Sequence, residues 1–273
     1  MKKVTYYLVA ICVVLLVSAT IVDATVIKSL PYEITTRGYY TINTNFTSAG
    51  HGIIVKVNNV TIDLKGYTIE GKGTGSYNGI YMNGRNNVEI RNGTIRNFGS
   101  YGIFEENSTS GHSHRVINVR VMNNGVGIYL RGSNHMVKDC TVSNSGGLGI
   151  YAADGSTISG NNAYNNVSYG IYAGTGSTVS GNASYNSGSH GIYAVYGCTV
   201  NGNASYSNGA SGISVFYGST VKNNAAYFNQ QYGIELAGSD LVDGNTAYSN
   251  NKSGGSYTNI STCGSCVFGD NVQ

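Results

Sequence analysis

The chain has 273 residues with 16 Lys or Arg against 13 Asp or Glu, a formal net charge of +3. Charged residues make up only 11% and form no basic stripe, which excludes electrostatic capture of nucleic acid. Thirty-nine glycines, one proline and no tryptophan suit a chain built from tight corners.

In chain order, Met1, Lys2 and Lys3 precede an apolar run from Tyr6 to Val22, with small residues at Ala19 and Ala24. This order predicts a secretory signal peptide over residues 1–24, cut after Ala24 or Ala19, and a secreted, periplasmic or cell-surface protein. The competing reading is an uncleaved anchor, because the run is near the shortest length that spans a bilayer; membrane contact is expected only there. Ile11 before Cys12 argues against a lipoprotein. Loss of Lys2, Lys3 and Asp23 with the signal leaves 14 basic and 12 acidic residues.

Residues 25–50, with Pro31, are predicted as an N-terminal cap and first strands, residues 51–253 as a repeat, and residues 254–273, where the period fails, as an irregular C-terminal cap. The repeat shows loosely at Gly52-Ile53, Gly79-Ile80-Tyr81, Gly102-Ile103-Phe104 and Gly127-Ile128-Tyr129. It then locks to a step of 21 at Gly149-Ile150-Tyr151, Gly170-Ile171-Tyr172, Gly191-Ile192-Tyr193, Gly212-Ile213-Ser214 and Gly233-Ile234-Glu235. A unit this short has no room for a helix pair, and its β-branched residues bounded by Gly and Asn predict short strands. Alternation puts Ile150, Ala152, Ile158 and Ala163 inside and Tyr151, Thr157, Ser159, Asn162 and Tyr164 outside, three strands to a coil. A further column, Asn161, Asn182, Asn203, Asn224 and Asn245, follows Gly160, Gly181, Gly202, Asn223 and Gly244 and predicts a structural asparagine ladder at a sharp corner.

The units, together with Asn59-Val60-Thr61-Ile62-Asp63-Leu64-Lys65-Gly66-Tyr67-Thr68-Ile69, resemble the right-handed parallel β-helix repeat family, the pectin-lyase-like superfamily that also holds NosD-type and surface β-helix proteins. The resemblance covers roughly residues 40–253 and implies an all-β, single-stranded parallel solenoid of about 9–10 coils of 21–25 residues. It is specific for fold and not for activity, since the superfamily includes lyases, hydrolases, adhesins and inert scaffolds. No Asp-rich calcium constellation with paired Arg and Lys, no closely spaced Asp pair and no recognisable copper ligands carry over.

Two outward aromatic columns are the candidate ligand surface: Tyr81, Phe104, Tyr129, Tyr151, Tyr172 and Tyr193, and Tyr164, Tyr185, Tyr206, Tyr227 and Tyr248. Rings at ~4.8 Å steps offer a platform for sugar rings, or equally a ladder that stabilises a solvated sheet. The unit between Phe104 and Val116 swells to 25 residues and supplies the weak catalytic candidates Glu105, Glu106, His114 and Arg115, with Arg131 and His135 one turn on. Acid, base and cation converge on paper only here, as polysaccharide lysis or hydrolysis requires; His112, His114 and His135 are the corresponding metal alternative. Thr157, Thr178 and Thr199 form a short hydroxyl array that degrades at Leu241.

Of the remaining cysteines, Cys140 and Cys198 lie in different columns beyond bridging distance, whereas Cys263 and Cys266 are placed to close a small terminal loop as a disulfide, with free thiols or a metal-binding pair as the alternatives. Nine Asn-x-Ser/Thr sequons occur, two of them at ladder positions Asn182 and Asn203. The favoured expectation is a non-catalytic carbohydrate-binding or structural surface scaffold with a polysaccharide partner and no cofactor. A lyase or hydrolase, with calcium only in that case, is the alternative, and a self-assembling filament or coat subunit the third.

Overall fold

The structure, a computed structural model, describes residues 24–273. The predicted signal segment, Ala24 apart, lies outside the described residues. Among these, thirty short strands and no helix wind into a parallel coil. Among the described residues no helix is long and apolar enough to cross a membrane.

The Gly-Ile-Tyr units form a narrow sheet of ten parallel strands, from Tyr32–Ile34 to Ile234–Leu236, one per turn. The other two strands of each turn belong to a broad sheet of twenty. They join because two turns carry a single long strand where others carry two: Val88–Arg96 and Arg115–Met122 each pair with two strands of a neighbouring turn. The corner there survives only as Asn92 and Asn118, both with φ near +55°.

Register follows the columns: Ile150, Ile171, Ile192, Ile213 and Ile234 lie one above another, and so do Ile158, Val179, Val200, Val221 and Val242. All ten are fully buried, and each contributes about 1.5–3 kcal/mol of apolar burial. Two physical demands then fix glycine. Gly160, Gly181, Gly202 and Gly244 take φ of +63° to +67°, with Asn223 at +56°, as the asparagine corner requires. The glycines of Gly-Ile-Tyr instead keep negative φ and are needed for closeness: a Cβ on Gly191 would lie 2.7 Å from the Gly212 carbonyl oxygen and 2.0 Å from Ser205 Oγ.

Residues 254–273 continue the coil irregularly: Ile260 bridges to Ile234, Val267–Phe268 pairs with Leu241–Val242, and Val272 bridges to Thr246. Cys263 and Cys266 are disulfide-bonded, and Cys140 and Cys198 are free and buried.

Candidate functional site

Ladders account for most polar groups at the corners. Each asparagine from Asn161 to Asn245 accepts the backbone N–H of its copy one turn earlier and donates its amide to a carbonyl and to the next asparagine, as Asn203 does to Val179 O at 2.9 Å and Asn224 Oδ1 at 3.0 Å. The ladder starts at Cys140 and ends on Asn271. A second one, not identified from the sequence, runs through Asn124, Asn166, Asn208, Asn229, Asn250 and Asn259. The same step of 21 between Asn166, Asn208 and Asn229, interrupted by Ser187, was its signal.

A third column explains the histidines. His114, His135, Ser156, Ser177, Ser219 and Asp240 occupy one inward corner position, and each accepts a backbone N–H from the turn before. His114 takes the Val88 N–H on Nδ1 and donates Nε2–H to Glu105; His135 takes the His114 N–H on Nδ1 and donates Nε2–H to the Arg131 carbonyl at 2.8 Å. The two rings stack at 5.1 Å with 7° between planes. Burial, reinforced by the neighbouring His114, pushes the His135 pKa down to about 3. Glu105 is equally enclosed: it receives the N–H groups of Gly84 and Asn107 at 2.7 and 2.8 Å besides His114. Although burial opposes ionisation, the His114 and backbone hydrogen bonds leave its pKa below the usual value.

The six weak catalytic candidates therefore form no single solvent-facing site, since the three that meet, Glu105, His114 and His135, meet inside the coil. Glu105, His114 and His135 are inside the coil at 0–1% exposure, closed to substrate. Arg115 lies on the broad sheet, bonded to Glu89 at 2.8 Å. Only Glu106 and Arg131 reach solvent beside the narrow sheet. Nor do His112, His114 and His135 gather on a cation, since His112 Nδ1 faces Ser133 Oγ at 2.9 Å and the Nδ1 atoms of the other two are taken.

Both aromatic columns stand where the alternation placed them, and their rings stack on one another. Tyr164, Tyr185, Tyr206, Tyr227 and Tyr248 lie at 4.8–5.4 Å with 2–6° between planes. Each interior ring has both faces covered by its neighbours, so the column offers solvent an edge and a row of hydroxyls. On the narrow sheet, Tyr129, Tyr151, Tyr172 and Tyr193 stack at 4.2–5.1 Å, but nearer the long rung the order loosens. Tyr81 and Phe104 are tilted by 37°, and Phe104 and Tyr129 cross at 67°.

That loosened end carries two clefts, one on each side of the loop 106–111. The first, about 370 Å³, is lined by Lys56, Tyr81, Asn83, Arg85, Asn107 and Ser110. The second, about 410 Å³, is lined by Ser108, Tyr129, Arg131, Tyr151 and Asp154. Glu106 links them: its carboxylate accepts the Tyr81 hydroxyl and the Asn83 amide, and its carbonyl accepts Arg131. Arg85 is held by the Asn83 and Lys56 carbonyls, and Arg131 lies over the Tyr129 ring at 5.6 Å. Neither guanidinium makes an ion pair among the described residues. Lys56, Asn83 and Arg85 were missed in the sequence; the signal was that Lys56, Asn83, Glu106 and Arg131 each follow directly on a narrow-sheet strand, one column of polar residues at a single corner. A third cleft, about 330 Å³, lies on the broad sheet around Asn92, Asn118 and Arg120.

A coil of ten parallel turns with asparagine corners is the architecture of a right-handed β-helix. The family described as right-handed β-helix region matches residues 106–252, more than half of the chain, and the chain belongs to it. No curated protein matches significantly. Among solved structures, the A-module of the Azotobacter vinelandii mannuronan C-5 epimerase AlgE4 aligns with a TM-score of 0.62 at 13% identity, over 92% of this chain and 84% of the module. The Dettilon tailspike protein aligns with a TM-score of 0.68 at 16% identity, over 92% of this chain and 58% of the tailspike. The periplasmic alginate epimerase AlgG gives 0.56 at 13% identity, over 88% of this chain and 75% of that one. At such identities the likeness is one of fold.

Proposed function

We propose that the chain is an exported glycan-binding β-helix whose site is the pair of clefts flanking the loop 106–111. The observation that carries this reading is that each cleft joins an aromatic side chain to a guanidinium with no carboxylate partner, Tyr81 with Arg85 and Tyr129 with Arg131. Tyrosine ring edges and hydroxyls suit the rim of a sugar ring, and a planar, always-charged fork suits a carboxylate or sulfate on it. The partner class is thus an acidic polysaccharide, with Asn83, Asn107 and Ser108 as neutral hydrogen-bonding groups at the rim. The tyrosine ladder from Tyr164 to Tyr248 supports the scaffold and contributes hydroxyl edges alone. The solved neighbours support the reading as far as their names go, two being enzymes of alginate or mannuronan and one a tailspike.

Binding to an array of acidic and neutral glycans, followed by titration of the best ligand against Arg131→Ala, Tyr129→Ala and Tyr206→Ala, tests it. The expected result is a loss of at least tenfold for the two cleft variants and little change for Tyr206→Ala. Absence of binding to any acidic glycan, or equal effects of all three variants, refutes it. Unsaturated or reducing-end products on incubation would instead make the site catalytic, with Glu106 and Tyr81 as the solvent-facing acid–base candidates.

A further inference from the structure

A different cluster closes the last turn. Cys263 and Cys266 are disulfide-bonded with Cα atoms 5.4 Å apart, and Cys266 Sγ lies 3.8 Å from Asp240 Oδ2. One donor atom from each of Asp240, Cys263 and Cys266 falls within 4.8 Å of the other two. Asp240 is 1% exposed, and its carboxylate receives the Ser219 N–H on Oδ1 at 2.8 Å and the Gly238 N–H on Oδ2 at 3.3 Å.

Nothing in the corner column demands an acid there. Ser156, Ser177 and Ser219 fill the same position in earlier turns with a neutral hydroxyl. The other buried carboxylates among the described residues are matched, Asp63 by Arg91 and Glu105 by His114, whereas Asp240 makes no ion pair. A buried carboxylate without a counter-charge is costly. The charge appears at the one turn where two sulfur atoms arrive beside it.

We propose that this cluster is a redox-gated cation site: as a disulfide it closes the final turn, and once reduced it holds a thiophilic divalent cation, zinc by its donor set, on Cys263 Sγ, Cys266 Sγ and Asp240 Oδ2. Reduction breaks the S–S bond into two thiols with two electrons and two protons, given by two thiols that leave as a disulfide or by a phosphine and water that leave as the phosphine oxide. Cation binding then releases both thiol protons, so that two thiolates and one carboxylate face the ion and water fills the fourth position of a tetrahedral site. The cation gives the Asp240 carboxylate a direct positive contact, the three anionic donors together leaving the site with a charge of −1.

The test uses the exported chain reduced with a phosphine under argon, freed of reductant, and titrated with zinc against a chromophoric chelator; cobalt reports thiolate ligation through its charge-transfer absorption. The expected result is one equivalent of zinc in the reduced protein and none in the oxidised one. Asp240→Asn should weaken binding about ten- to hundredfold, Cys266→Ser should remove the cobalt–thiolate band, and zinc should raise the melting temperature of the reduced wild type only. No uptake by the reduced wild type, or equal uptake by Asp240→Asn or by the Cys263→Ser/Cys266→Ser double variant, overturns the proposal. Zinc binding is independent of the glycan site, so either can fail alone.

Discussion

Truncating Asn203 measures what a ladder rung contributes. Its Oδ1 accepts both the backbone N–H and the side-chain amide of Asn182, at 2.9 and 3.0 Å, in a position only 2% exposed. Asn203→Ala leaves those two N–H groups buried without an acceptor, at about 1–3 kcal/mol each and so about 4 kcal/mol together. For a domain of this size that corresponds to a fall in melting temperature of roughly 8–16 °C, read by calorimetry or circular dichroism. The control is Asn201→Ala, two residues away on the solvent side, where the side chain accepts an exposed hydrogen bond from Asn223 and the expected change is within about 0.5 kcal/mol. Equal melting of the two variants would falsify the view that inward amides, rather than the aliphatic stacks alone, hold the coils together.

Acid should destabilise the fold before its carboxylates titrate. His135 has a folded pKa of about 3, below the ordinary histidine value of about 6.5, so the unfolded chain gains a proton that the folded one refuses as pH falls through this window. Stability is full above the unfolded value and declines below it by up to about 1.4 kcal/mol per pH unit, with His51 and His190 shifted in the same direction. Denaturant melts from pH 7 to 4.5 should show the slope, and His135→Ser, which places the Ser156 side chain type one turn earlier, should reduce it; an unchanged slope refutes the assignment. Gly191→Ala should cost about 1–3 kcal/mol or more through overpacking against Ser205 and Gly212, and Gly181→Ala about 1–2 kcal/mol through its φ of +63° alone; a reversed order of melting temperatures contradicts the close-approach argument. Cys140, its thiol pushed up to about 12 by burial, and Cys198 should both ignore a soluble thiol reagent in the native protein and react in denaturant.

The columns were legible because a solenoid converts sequence spacing into contact. Ile171 meets Ile192 for the same reason that they are 21 apart, and no long-range folding decision intervenes. Corner chemistry was legible for Asn161 to Asn245, where five identical residues align, and not for the second ladder, where Ser145 and Ser187 break the series. The long rung misled through exposure. Glu105, His114 and His135 have the composition of an acid–base site, but each occupies an inward position, and a column of mixed residue types gives no hint that histidine there does the work of serine.

Taken alone, the sequence determined the coil, its pitch in residues, the aliphatic stacks and the first amide ladder, all properties of a repeat whose neighbours in space are its neighbours in register; the hand of the coil came with the family resemblance, and the terminal cysteine pair from residues beyond the repeat. Tertiary structure decided what side-chain direction and filling control. It turned the tyrosine columns face to face, enclosed the histidines, opened clefts beside Arg85 and Arg131, and left Asp240 buried against two sulfur atoms without a counter-charge. Those features depend on where a corner bends and how far a loop stands off it, and spacing along the chain does not encode either distance.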